Sequence, residues 1–177
     1  CKQRIEKHLL EAHSDWVSRK GKSLHLSIVN GEDLKFTSND SPSPSKNISY
    51  YLTNYYPAID AYQVKVGFYE GGMLKIINRQ SGNTVEVNGK IAISPDQTHF
   101  VAYNKDLASS YTFNGFHVFK VKDDTYELEF KKGLDWGPVN GRWTSNTEFM
   151  LKKQLNPQAE PKGEAAYGLK DGKWTAL

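Results

Sequence analysis

With 177 residues, of which 38% are apolar and 12% aromatic, the chain is long enough to bury a sizeable core and too apolar to stay disordered. No run approaches the roughly 18 apolar residues that a membrane-spanning helix needs. The formal charge is +3, and Lys2, Arg4, Lys7, Arg19, Lys20 and Lys22 outnumber Glu6, Glu11 and Asp15 by that whole amount, so residues 23–177 are neutral and offer no basic face to nucleic acid.

Residues 2–19 have Ile5, Leu9, Ala12 and Trp16 at helical spacing, widened by Leu10 and Val17, which predicts an amphipathic helix packed on a sheet. Ser14-Asp15 is a second N-cap where it can break, and Gly21 ends it. Residues 1–22 are therefore read as an N-terminal anchor and helix, and residues 23–177 as one β domain of repeated hairpins. The first hairpin alternates Leu24, Leu26 and Ile28, turns at Asn30-Gly31 and returns through Leu34 and Phe36. Further reversals fall at Ser81-Gly82, Asp123-Asp124 and Asp171-Gly172. Between them lie inner strand pairs, Ile48–Leu52 with Tyr62–Tyr69, Ile91–Ser94 with Phe100–Asn104, and Arg142–Thr144 with Glu148–Lys153. Tyr167–Leu169 and Trp174–Ala176 form the last hairpin. The predicted fold class is all-β with one N-terminal α-helical segment: an antiparallel meander arranged as an incomplete propeller or as two packed sheets.

The search for chemistry excludes more than it finds. His8, His13, His25, His99 and His117 are scattered, and neither a zinc-ligand spacing nor a glycine-rich phosphate loop occurs, so no metal, cofactor or catalytic residue is expected. Asp123-Asp124 is a turn pair before it is a carboxylate site. What remains is a β scaffold with aromatic connections, and rigid scaffolds carry function on their loops. The ten residues from Lys105 to Asn114 form the most prominent connection, with Asp106, Tyr111 and Phe113 around a Ser109-Ser110 tip. Tyr55, Tyr56 and Trp136 complete the candidate partner-binding set; Trp136, flanked by Gly137-Pro138, is also suited to folding back on the core.

The run from Ile91 to Tyr103, a strand, a Ser94-Pro95-Asp96-Gln97 turn and a second strand, resembles the inner strand pair of β-propeller blades in WD-repeat-like and TolB-like proteins, with Gln97 at the usual glycine. A second version spans Arg142–Leu151, with Phe149 in the place of Phe100. The single cysteine, Cys1, forms no internal disulfide, and a chain that begins on it resembles a mature bacterial lipoprotein, whose N-terminal cysteine carries the lipid. Lys2 in place of aspartate implies, by that resemblance, the periplasmic face of the outer membrane. Small β-rich lipoproteins resemble periplasmic immunity proteins and lysozyme inhibitors, which implies a protein that binds and occludes a toxin or hydrolase. A structural component of an envelope assembly is the alternative, and a carboxylate-dependent hydrolase is the third. Metabolic labelling with a fatty-acid probe is expected to mark the protein, and Cys1→Ser is expected to abolish the label; unlabelled wild type would remove the anchor.

Overall fold

The computed structural model describes residues 2–177, so Cys1 and the lipid expected on it lie outside the described residues. Among the described residues the fold is mostly β: one α-helix, α1 (Lys2–Ala12), and four antiparallel sheets with no closed barrel. β1 (Val17–Lys20), β2 (Ser23–Leu26) and β3 (Leu34–Thr37) form a three-stranded sheet. β4 (Ile48–Tyr56), β5 (Ala61–Phe68), β6 (Gly72–Asn78) and β7 (Thr84–Val87) form the first four-stranded meander. β8 (Lys90–Ile93), β9 (His99–Asn104), β10 (Gly115–Val121) and β11 (Tyr126–Gly133) form the second. β12 (Gly137–Trp143), β13 (Glu148–Gln154), β14 (Glu164–Lys170) and β15 (Lys173–Ala176) form the third. The expected inner pairs and outer hairpins are thus consecutive halves of the same sheets. Among the described residues no helix is long and apolar enough to cross a membrane.

The chain groups into two compact units, residues 1–87 with 123–126, and residues 88–122 with 127–177. The boundary expected at residue 22 falls in the β1–β2 turn, where Gly21 takes φ +59° as a hairpin residue and not as a helix cap. The helix stops at Ala12, and Val17 is the first residue of a strand paired with Leu26. In the first unit Val17, Leu24, Leu26, Leu52, Tyr62, Val64 and Ile77 make the core, with Leu9 and Leu10 of α1 packed on it. Ile5 stays 42% exposed, because the helix turns Glu6 inward instead. Glu6 is buried and accepts from Arg19 Nε at 2.8 Å and from the Leu52 N–H at 2.8 Å, so an ion pair satisfied by further hydrogen bonds fastens the helix to β1 and β4. Asn30-Gly31 does not make a two-residue turn. Asp33 accepts from Ile28 N–H at 3.1 Å and from Ser27 Oγ at 3.2 Å, and these bonds open the reversal into a loop between β2 and β3.

In the second unit the faces of two four-stranded meanders meet over Val101, Tyr103, Phe116, Val118, Phe149, Leu151, Tyr167 and Trp174. The turn after β8 forms as its residues dictate: the Gln97 N–H donates to Ser94 O at 2.9 Å, and Asp96 Oδ1 accepts from Ser94 Oγ at 2.7 Å. Gln97 has φ +63°, the left-handed conformation that glycine adopts most easily. Phe100 and Phe149 are both fully buried and occupy matching places, each the second residue of the second strand in its meander and paired with the last residue of the strand before, Ile93 or Trp143. Val101 and Tyr103 of β9 share the core with Phe149, whereas Phe100 points to the opposite face of its strand and stacks on Phe119 at 4.9 Å. Phe149→Ala removes a ring with aromatic neighbours on several sides and is expected to lower unfolding free energy by about 3–5 kcal/mol in a denaturant titration; a cost under about 1 kcal/mol would mean that the core collapses into the space.

Candidate functional site

A ten-residue connection exposes backbone donors that no strand satisfies, and the loop from Lys105 to Asn114 meets that demand with its own side chains. Asp106 Oδ1 accepts from Ser109 N–H at 3.0 Å, Ser110 N–H at 3.0 Å and Ser109 Oγ at 2.8 Å. Its Oδ2 accepts from Thr112 N–H at 2.7 Å and Thr112 Oγ1 at 2.9 Å. The bond from the Thr112 N–H, followed by that from the Ser109 hydroxyl, holds the Asp106 carboxyl well below the usual carboxylate range. Both oxygens are occupied, so Asp106 shapes the loop and is not a free charge offered to a partner.

Asn114 ties this loop to the next. Its Oδ1 accepts from the Asp106 N–H at 3.0 Å, while its Nδ2 donates to Leu134 O at 2.7 Å and Trp136 O at 3.1 Å. Asn104 closes the base by donating to Thr112 Oγ1 and Phe113 O, each at 2.9 Å. Lys105 Nζ donates to Gln154 Oε1 at 2.7 Å, and Gln154 Nε2 donates to Ala159 O at 2.8 Å, which brings the connection after β13 to the same end of the unit. A Cβ on Gly137 would press on Cγ and Cδ of Lys105, so a larger residue there would have to displace the Lys105 side chain at the root of the loop.

The six residues expected to bind a partner fall into two sets. Asp106, Tyr111, Phe113 and Trp136 belong to the second unit. Tyr111 stands at the loop apex, 74% exposed. Phe113 is half-buried against His117 at 4.7 Å, under the Lys131 ammonium at 4.5 Å. Burial, and secondarily Lys131, lowers the pKa of His117, which favours the neutral ring beneath Phe113. Trp136 is half-buried on the core with Lys153 Nζ 5.5 Å above its ring, so most of its surface serves packing, as its glycine and proline neighbours suggest. A cleft of about 270 Å³ opens at the loop base between Lys90, Tyr103, Lys105, Pro138 and Asn140. Leu155, next in sequence to Gln154, is 68% exposed on the connection after β13, a contribution that sequence reasoning missed.

Tyr55 and Tyr56 belong to the first unit and sit on β4, not on a loop. The Tyr55 hydroxyl donates to Asp60 Oδ1 at 2.5 Å, and its ring packs on Trp16 at 4.8 Å and Tyr62 at 5.8 Å. Burial raises the pKa of the Tyr55 phenol and pushes that of Tyr62 up to about 12, so both are donors at neutral pH. Arg79 lies over Trp16 at 4.3 Å and pairs with Asp60 at 3.6 Å, completing a polar and aromatic corner. The Tyr56 hydroxyl donates to Gln63 Oε1 at 2.8 Å. Within the first unit these two tyrosines serve the architecture of β4 and β5. Among the described residues no group of three or more histidine, cysteine or acidic side chains is placed to hold a metal.

No protein-family model, no curated protein and no solved structure matches the chain.

Asp106→Ala is expected to speed hydrogen exchange at the amides of Ser109, Ser110 and Thr112 while the melting temperature barely moves, because the loop is latched locally. Since the native carboxyl is depressed, the latch is fully formed above the unfolded value of 3.8 and is lost as pH falls through the lower native value. Protection at those amides that survives in Asp106→Ala would show that Asp106 does not hold the loop.

Proposed function

We propose that this chain is a binding protein that inhibits another protein by presenting the Lys105–Asn114 loop to its active cleft, in the manner of an immunity protein that neutralises a secreted antibacterial effector. The observation that carries it is Tyr111: a large side chain 74% exposed on a loop whose backbone is already fixed by Asp106, Asn104 and Asn114. An apolar ring in water is tolerated at little cost, and a loop ordered before contact loses less conformational entropy on binding. The loop offers more than one point of grip. Leu155 adds apolar area, the cleft at the loop base can receive a side chain from the partner, and Lys131 and Lys153 place positive charge over Phe113 and Trp136. The envelope setting, with a lipid on Cys1 at the periplasmic face of the outer membrane, is part of the same proposal and rests on the sequence resemblance alone.

Affinity capture from envelope extract with the wild type and with Tyr111→Ala in parallel tests it. A species retained by the wild type and lost from the variant is the expected partner, and its activity should fall when purified wild-type protein is added. Titration calorimetry with that partner should show Tyr111→Ala weakening binding by about 1–3 kcal/mol at unchanged melting temperature. Equal binding by the two proteins would move the site away from this loop.

A further inference from the structure

Four consecutive residues of β11, Glu127, Leu128, Glu129 and Phe130, line a groove of about 500 Å³ whose other wall is Gly172, Lys173 and Trp174 of the β14–β15 hairpin. Successive side chains of a strand point to opposite faces, so four residues in a row reach one groove only when the groove runs along the edge of the strand. β11 is the terminal strand of its sheet, as β15 is of its own. Each edge presents a row of backbone N–H and C=O groups with no neighbouring strand among the described residues.

Folded proteins usually blunt such edges with proline, a bulge, a very short strand or charged side chains, and β11 uses only the last, through Glu127, Glu129, Lys131 and Lys132. β11 has eight residues and no proline, and Glu127, Leu128 and Glu129 are exposed in succession. The base of the groove is firm: Trp174, 5% exposed, donates through Nε1 to Glu129 Oε2 at 2.9 Å, with His99 Nε2 3.2 Å from the same oxygen. That bond occupies the Glu129 carboxylate, and Lys122 pairs with Glu127 at 3.3 Å. Leu128, 51% exposed, and Lys173, which pairs with no carboxylate among the described residues, are left as the side chains that a visitor would meet.

We propose that this groove binds an extended peptide segment of a partner protein, added as a further strand along β11, with an apolar residue over Leu128 and an acidic residue facing Lys173. Four edge residues at about 3.3 Å each give roughly 13 Å of backbone pairing, enough to fix register, with the two side-chain contacts supplying selectivity. The site is separate from the Tyr111 loop, and either can fail without the other.

A heptapeptide library displayed on phage and panned on the full chain tests it, with the selected peptides synthesised as probes. The expected outcome is peptides alternating apolar and acidic residues that shift the amide resonances of residues 127–130 and 172–174 and slow hydrogen exchange along β11. N-methylation of the peptide amides that face β11 should weaken binding by about tenfold or more, while methylation of the alternate amides changes it by less than about threefold, since only the first set bonds to the edge. Leu128→Ala should weaken the same peptides severalfold, and Tyr111→Ala should leave their affinity unchanged. The proposal is overturned by panning that enriches nothing, by peptides whose shifts map to residues 105–114, by equal sensitivity to both methylation patterns, or by a concentration-dependent dimer whose contact maps to β11, which would make a second copy the occupant.

Discussion

The contact on which the second unit depends is the meeting of Phe116, Phe149 and Tyr167. Phe149 stacks on Tyr167 at 5.5 Å with an interplanar angle of 22°, and Phe116 meets Phe149 edge-on at 5.3 Å. Phe116 comes from one meander and the other two rings from the next, so the triad fixes one sheet on the other in distance and in register. Everything displayed at the end of the unit inherits its position from that contact. The roots of the loops after β9, β11 and β13 stand together because the sheets that carry them cannot slide.

With the sheets fixed, the loop after β9 must still decide its own path, and its polar side chains decide it. Asp106 gathers the donors of Ser109, Ser110 and Thr112, and Asn114 converts the path into an attachment to Leu134 and Trp136. Order in the loop therefore comes from hydrogen bonds near its base, and apolar surface is left at its apex. This inverts the usual placement of side chains, in which the apolar residue is hidden and the polar one faces water.

The strands were legible where alternation was reinforced by turn chemistry. Pro95-Asp96 and Asp171-Gly172 mark reversals that the structure keeps, and the pairs around them are the expected ones. The fold was misread where one pattern served two structures. Trp16 and Val17 fit a helical stripe after Ala12, but Val17 is buried by joining a strand, and tertiary pairing outweighs local period in so short a segment. At the candidate site, Tyr111 and the loop were visible in the sequence, whereas the role of Asp106 was hidden. Its signature is an aspartate followed by serine and threonine at the right distance to bond back, which is also what an exposed acidic loop looks like. Which loops share an end depends on the bonds from Asn114 to Leu134 and from Lys105 to Gln154, which span 20 and 49 residues.

The division of labour inside the loop has an evolutionary consequence. The residues that hold its shape are Asn104, Asp106, Thr112 and Asn114, and those it displays are Ala108, Ser109, Ser110 and Tyr111. Ser110 enters the latch only through its backbone, and at φ +56° it sits where glycine or asparagine would be at ease. Ser109 adds a hydroxyl bond that its backbone bond can outlast. The frame is thus indifferent to most of what it frames. Mutation can rewrite the apex while selection on stability sees almost nothing, so the scaffold can stay constant under a changing face.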